Sequence, residues 1–181
     1  EDGINERAKS RIRIYYVSDG WISLERKSKK NGMTCKESAR LTREQCEALL
    51  RGEALPLHTK EAEDYPEVLR QFLVLMLTKG MRAKTIVEYE RIPFVYPLGN
   101  VRITIDRNIT ASLETERFFE KDTLRYPVLA KGQQLLEVKF DEYLPSFIKE
   151  HLETGKLQQT SFSKYYLGRK YTIPCAGGRL K

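Results

Sequence analysis

Histidine is scarce in this chain. Only His58 and His151 occur, which excludes a histidine-rich metal site. The three cysteines, Cys35, Cys46 and Cys175, are odd in number and widely spaced, so neither a disulfide framework nor a paired-cysteine zinc site is indicated. Reduced thiols in a cytoplasmic setting are the expectation. Any metal would then be a hard ion held by carboxylates. Long hydrophobic runs are missing as well. The longest strongly apolar stretch, FLVLML at residues 72–77, is far too short for a membrane span. Neither GxGxxG nor GxxxxGK[ST] is present, which removes the usual nucleotide-binding loops. Internal repeats and low-complexity segments are absent too.

What is abundant is charge. The chain has 181 residues, with 32 basic and 25 acidic side chains, a formal charge of +7 and a pI near 9.3. That balance favours an anionic partner without naming it. The length suits a single domain over residues 1–181, with 172–181 expected as a loose tail.

Short extended segments dominate: RIRIYY (11–16), WISLERKSKK (21–30), MTCKESARL (33–41), KTIVEYERIPFVY (84–96), VRITIDRNIT (101–110) and LLEVKFDEYL (135–144). The SDG at 18–20, NG at 31–32 and PLGN at 97–100 carry turn chemistry. The first three segments should form a meander, and the fourth and fifth a hairpin. Helices fill the gaps. One follows Thr42, with Gln45 completing a capping box. A second, the most apolar, starts near Pro66 and stops at Lys79-Gly80. A third runs from PSFIKEH to Gly155, and TSFSKYYLGRKY forms a short final helix.

Strand side chains alternate between faces, and here the alternation separates charge from hydrocarbon. Arg11 and Arg13 oppose Ile12 and Ile14. Glu25, Lys27 and Lys29 oppose Ile22 and Leu24. Lys36 and Arg40 share a phase with Ser38. The hairpin adds Arg91, then Arg102, Thr104 and Asp106 opposite Ile103 and Ile105. The sixth segment sets Glu137, Lys139 and Asp141 against Leu136, Val138 and Phe140. Two architectures accommodate this pattern. The charged faces either meet solvent, or turn inward in a closed barrel whose helices pack outside. Inward cations repel, by about 2 kcal/mol for two charges ~8 Å apart at an effective dielectric of ~20. An anionic ligand would relieve that cost. Strand order does not follow from the sequence, so both architectures stay open.

RIRIYY, LERKSKKNGMTCKESARLTREQCEALL, VRITIDRNI, LLEVKFDEYLP and SFSKYYLGR occur in one order across most of the chain. Together they resemble the VTC (vacuolar transporter chaperone) domain, the polyphosphate polymerase domain, in its bacterial form, within the CYTH-like triphosphate tunnel group. The resemblance implies an α+β fold: an antiparallel β-barrel enclosing a basic tunnel, with helices packed outside. That family usually has a helix and two strands ahead of the RxR strand. Since the sequence opens EDGINERAKS, the barrel is expected to lack its first strands, leaving edges through which a homo-oligomer could form.

The resemblance also implies ATP, triphosphate or polyphosphate as ligand, Mn2+ or Mg2+ as cofactor, and transfer of a terminal phosphoryl group. Carried over residue by residue, it places phosphate-binding cations at Arg11, Arg13, Lys27, Lys29, Arg91, Arg102, Lys139 and Lys164, and the strand alternation adds Lys36. Lys27, Arg91 and Lys164 take the catalytic role, Glu137 is the metal ligand and Glu25 a second candidate for it. The lysine that polymerase members often carry three residues before Lys164 is Ser161 here, which weakens polymerase activity more than phosphate binding. Inorganic triphosphatase activity and non-catalytic binding as a sensor or scaffold are the alternatives. Single-stranded nucleic acid ranks last, because it needs aromatic platforms between the cations and only Tyr15 and Trp21 are candidates. No specific nucleic-acid partner is expected.

Overall fold

The computed structural model describes residues 7–30, 33–153, 155, 157 and 160–176. Its strands pair antiparallel in two sheets, and helices follow each set of strands in sequence, which makes the class α+β. Two compact units divide the chain, Glu1–Lys84 with Glu114–Thr123, and Thr85–Leu113 with Leu124–Lys181. The expected NG turn at 31–32 lies outside the described residues.

The first unit holds the expected meander: β1 (Arg7–Tyr15), β2 (Ser18–Lys30) and β3 (Met33–Arg40), in that order across the sheet. Three helices follow, α1 (Arg43–Arg51), α2 (Lys60–Glu63) and α3 (Glu67–Lys79). Thr42 and Gln45 exchange the two hydrogen bonds of a capping box at the start of α1. Ile22 and Leu24 of β2 are buried with Cys46 and Leu49 of α1 and with Leu69, Leu73 and Met76 of α3. One face of the sheet is therefore consumed by helix packing, and the opposite face carries the charge.

The turn between β1 and β2 is displaced from its expected place. Ser18, Asp19 and Gly20 belong to β2, and the loop is Tyr16–Val17, with φ of 56° and 54°. The loop pairs Tyr15 with Ser18, and a register shift between Arg13 and Tyr15 then sets Ile12 opposite Leu24 and Arg11 opposite Glu25. A loop centred on Asp19 would instead set Ile12 opposite Arg26 and Arg11 opposite Lys27. The pairing of Ile12 with Leu24 is thus reached through the register shift and is not set by the loop position alone. Two-residue loops with φ > 0 at both positions favour Asn-Gly, and a β-branched residue there is strained. Val17→Gly is expected to stabilise the protein by about 1 kcal/mol, read as a higher urea midpoint at unchanged slope. An unchanged or lower midpoint would show that the loop carries no such strain.

The second unit is built on β5 (Val101–Ser112). Its neighbours are β4 (Ile86–Tyr96) on one side, and β6 (Tyr126–Pro127) and β7 (Leu135–Lys139) along the other. Among the described strands β4 pairs only with β5, an edge position that tolerates Pro93. α4 (Ser146–Leu152) stops before the expected Gly155, and α5 (Lys164–Ala176) closes the described chain. Residues 172–176, expected within the loose tail, continue α5. Residues 177–181 lie outside the described set. Ile109, Ala111 and Val128 form the small core, with Leu167 of α5 and Phe162 against it. No helix among the described residues is long and apolar enough to cross a membrane.

Candidate functional site

In the first unit the strand register gathers the predicted cations into rows. Arg13, Ser23 and Arg40 form one row, Arg11, Glu25 and Ser38 the next, and Lys9, Lys27 and Lys36 the third, with Lys29 beside Thr34 beyond. Rows two residues apart are separated by roughly 7 Å, and adjacent strands by ~4.8 Å. Among the described residues of these rows, Glu25 is the sole acid against Lys9, Arg11, Arg13, Lys27, Lys29, Lys36 and Arg40. It accepts from Arg11 Nε at 2.7 Å and lies 3.1 Å from Arg13 Nε. Lys9, Lys27, Lys29 and Lys36 are exposed. Three lysines side by side in one row repel one another, so the face gains most from a ligand carrying several negative charges.

Lys9 was not among the predicted residues. The signal was present: Lys9, Arg11 and Arg13 alternate without a break, and only the placement of the strand start hid the first of them. Arg40 had been read in phase with Lys36 but given no role.

The second unit brings Arg91, Arg102, Glu137, Lys139 and Lys164 together differently. Arg91, Asp106 and Leu135 share a row, then Pro93, Thr104 and Glu137, then Val95, Arg102 and Lys139. Asp106 is the hub. Its side chain is fully buried, and it accepts from Arg91 Nε at 2.7 Å and Nη2 at 2.8 Å, a bidentate pair. Lys164 Nζ of α5 lies 2.7 Å from its other face at Oδ2. Burial pushes the Asp106 carboxyl up, but the hydrogen bonds and charges of Arg91 and Lys164 outweigh it and hold the group below its ordinary value. The same bond raises the Arg91 guanidinium. Tyr89 completes the cluster, its ring centre 5.2 Å from the Arg91 guanidinium and 5.0 Å from Lys164 Nζ.

Local backbone features deliver these side chains. A bulge between Glu88 and Glu90 puts Asn108 at φ 52°, and Glu90 holds it by accepting from Asn108 Nδ2 and Arg107 Nε, each at 2.8 Å. Gly168, one turn beyond Lys164, lets α5 approach the sheet. A Cβ at that position would sit 3.1 Å from the Ala111 Cβ. Asp106 had been seen in phase with Arg102 and Thr104 but assigned nothing. A lone acid on a basic face was the available signal.

The cation balance thus differs between the two faces. In the second unit Asp106 and Glu137 offset much of the charge of Arg91, Arg102, Lys139 and Lys164. Glu137 Oε1 is 2.9 Å from Lys139 Nζ, and its Oε2 is 3.9 Å from Arg91 Nη2. Burial raises the Glu137 carboxyl, yet the Lys139 hydrogen bond and the surrounding cations bring it below its ordinary value. It is ionised at neutral pH and available to a hard cation. Among the described residues no group of three or more His, Cys, Asp or Glu side chains is placed to hold a metal. Asp106 has both oxygens occupied by Arg91 and Lys164. Glu137 alone supplies too few protein oxygens for a hard cation, whose shell would have to be completed by oxygens from elsewhere.

No curated protein and no solved structure gives a significant match to the chain. A family model described as the VTC domain matches residues 1–173. That span includes both cation-bearing faces and the Asp106 hub, and it bears out the resemblance carried by the strand motifs. The chain belongs to the VTC domain family, and its role is polyphosphate-related.

Proposed function

We propose that the protein binds the phosphates of ATP, inorganic triphosphate or polyphosphate on its basic sheet faces and transfers a terminal phosphoryl group. The face of β1–β3 carries this reading, with Lys9, Arg11, Arg13, Lys27, Lys29, Lys36 and Arg40 against Glu25 alone. Phosphoryl transfer spreads negative charge over peripheral oxygens, and fixed cations stabilise it with little other chemistry required. Lys27, Arg91 and Lys164 are the proposed catalytic cations. Asp106 acts through two of them by holding Arg91 and Lys164 in place. Glu137 would hold Mg2+ or Mn2+ together with substrate oxygens, where the ion supplies further charge neutralisation. Glu25, whose oxygens already face Arg11 and Arg13, is the weaker candidate for that task. The closed barrel and tunnel, formed by the chain as a single domain, belong to this proposal because the family resemblance implies them.

Calorimetric titration with tripolyphosphate, longer polyphosphate and single-stranded DNA at two salt concentrations tests the binding. Affinity should rise with phosphate chain length and fall roughly tenfold or more from low to physiological salt. DNA binding tightest, or no heat from tripolyphosphate, would overturn the reading. Incubation with ATP and Mn2+ then separates the reactions: polymer marks transfer to a growing chain, orthophosphate marks hydrolysis, and neither marks binding alone.

A further inference from the structure

At one end of the basic face of β1–β3, two aromatic side chains stand out of the sheet. Tyr15 is 52% exposed and Trp21 is 54% exposed. Rings of this size are normally buried for their hydrophobic area, so two exposed on one strongly charged face need an explanation. Both are tied to the cation rows. The Arg13 guanidinium lies 5.9 Å from the Tyr15 ring centre, and Arg13 Nη1 donates to the Tyr15 hydroxyl at 3.2 Å. The Arg40 guanidinium lies 4.9 Å from the Trp21 ring centre and donates from Nη2 to the Gly20 carbonyl at 3.0 Å. Arg13 and Arg40 flank Ser23 in a single row. The row nearest the aromatics is thus formed by two arginines whose side chains the aromatics help to orient.

We infer that this end is a nucleobase subsite, so that the face takes a nucleoside polyphosphate in one orientation. The inference rests on the phosphate-binding reading above. A base stacked on Trp21 places its phosphates first over the Arg13–Arg40 row. The Arg11–Glu25 row follows, four residues along β2 and roughly 13 Å from Trp21, within the span of an extended nucleoside triphosphate. The Lys9–Lys27–Lys36 row, roughly 20 Å away, lies beyond the terminal phosphate, where the phosphates of a second, longer chain would lie. Inorganic polyphosphate offers nothing to Trp21, so the aromatic end distinguishes nucleotide from bare polyphosphate.

Trp21 is the only tryptophan in the chain, so it reports on its own site. Titrating the full chain with ATP should quench its fluorescence saturably, while tripolyphosphate binds without comparable quenching. Trp21→Ala should weaken ATP binding roughly 5- to 150-fold, the range for loss of one stacked base, and weaken tripolyphosphate binding far less, since Arg40 keeps its hydrogen bond to the Gly20 carbonyl. Trp21→Phe should retain most of the ATP affinity, and circular dichroism confirms that both variants fold. Equal binding of ATP and tripolyphosphate by wild type and Trp21→Ala would overturn the subsite and leave the phosphate site standing. Absence of tripolyphosphate binding would overturn the phosphate reading itself, and this inference with it.

Discussion

Asp106→Asn is expected to lower stability by about 3 kcal/mol at neutral pH, because removing one member of a buried ion cluster leaves the others unpaired. Asparagine keeps the shape but not the charge. Arg91 and Lys164, 26% and 19% exposed, would then face each other without the carboxylate between them. Their residual exposure sets the figure at the lower end of the range for such losses. For a chain of this length the loss corresponds to a fall in Tm of roughly 6–12 °C.

The pH dependence separates this account from a simple packing defect. The folded-state carboxyl of Asp106 titrates below its unfolded value of ~3.9. Its contribution is therefore complete above that value and disappears as pH falls through the folded pKa. The gap between wild type and Asp106→Asn should be constant from neutral pH down to about pH 5 and shrink in more acidic solution. Glu137, also depressed, adds to the wild type's acid sensitivity in the same direction. Urea melts across this range provide the measurement. A variant as stable as wild type, or a gap that persists in acid, would show that the charge of Asp106 does not hold the cluster.

Replacing Arg11 and Arg13 together by alanine should weaken tripolyphosphate binding about 10²- to 10⁴-fold. Hydrogen bonds to charged groups contribute about 1.5–3 kcal/mol each, and two are removed. The change also leaves Glu25 without the two guanidinium groups beside it, so an uncompensated carboxylate would stand in the middle of the anion's path. Stability should move by less than about 1 kcal/mol, since ion pairs this open to solvent contribute little to folding. Calorimetry and thermal melts on the same preparation distinguish the two effects. Unchanged affinity in a folded double variant would take the first unit's face out of the phosphate site, and a large fall in Tm would give the arginines a structural role instead.

The sequence by itself determined which residues share a face. Side-chain alternation is a property of a single extended backbone, so Arg11 with Arg13, Glu25 with Lys27 and Lys29, and Arg102 with Thr104 and Asp106 were legible before any partner strand was known. The Thr42–Gln45 start of α1 and the Gly80 stop of α3 were equally legible, because each depends on a few neighbouring residues. What those faces meet was decided elsewhere. The Tyr16–Val17 loop and the register shift between Arg13 and Tyr15, which together pair Ile12 with Leu24 and Arg11 with Glu25, were not legible in the turn chemistry of SDG. The Asp106 hub needs the bulge at Asn108, the register of β4 on β5, and the close approach of α5 at Gly168, which brings in Lys164 from 58 positions further along the chain. Periodicity is fixed within each segment by backbone geometry. The partner of a charge depends on strand register and helix docking, which are settled only when distant segments pack.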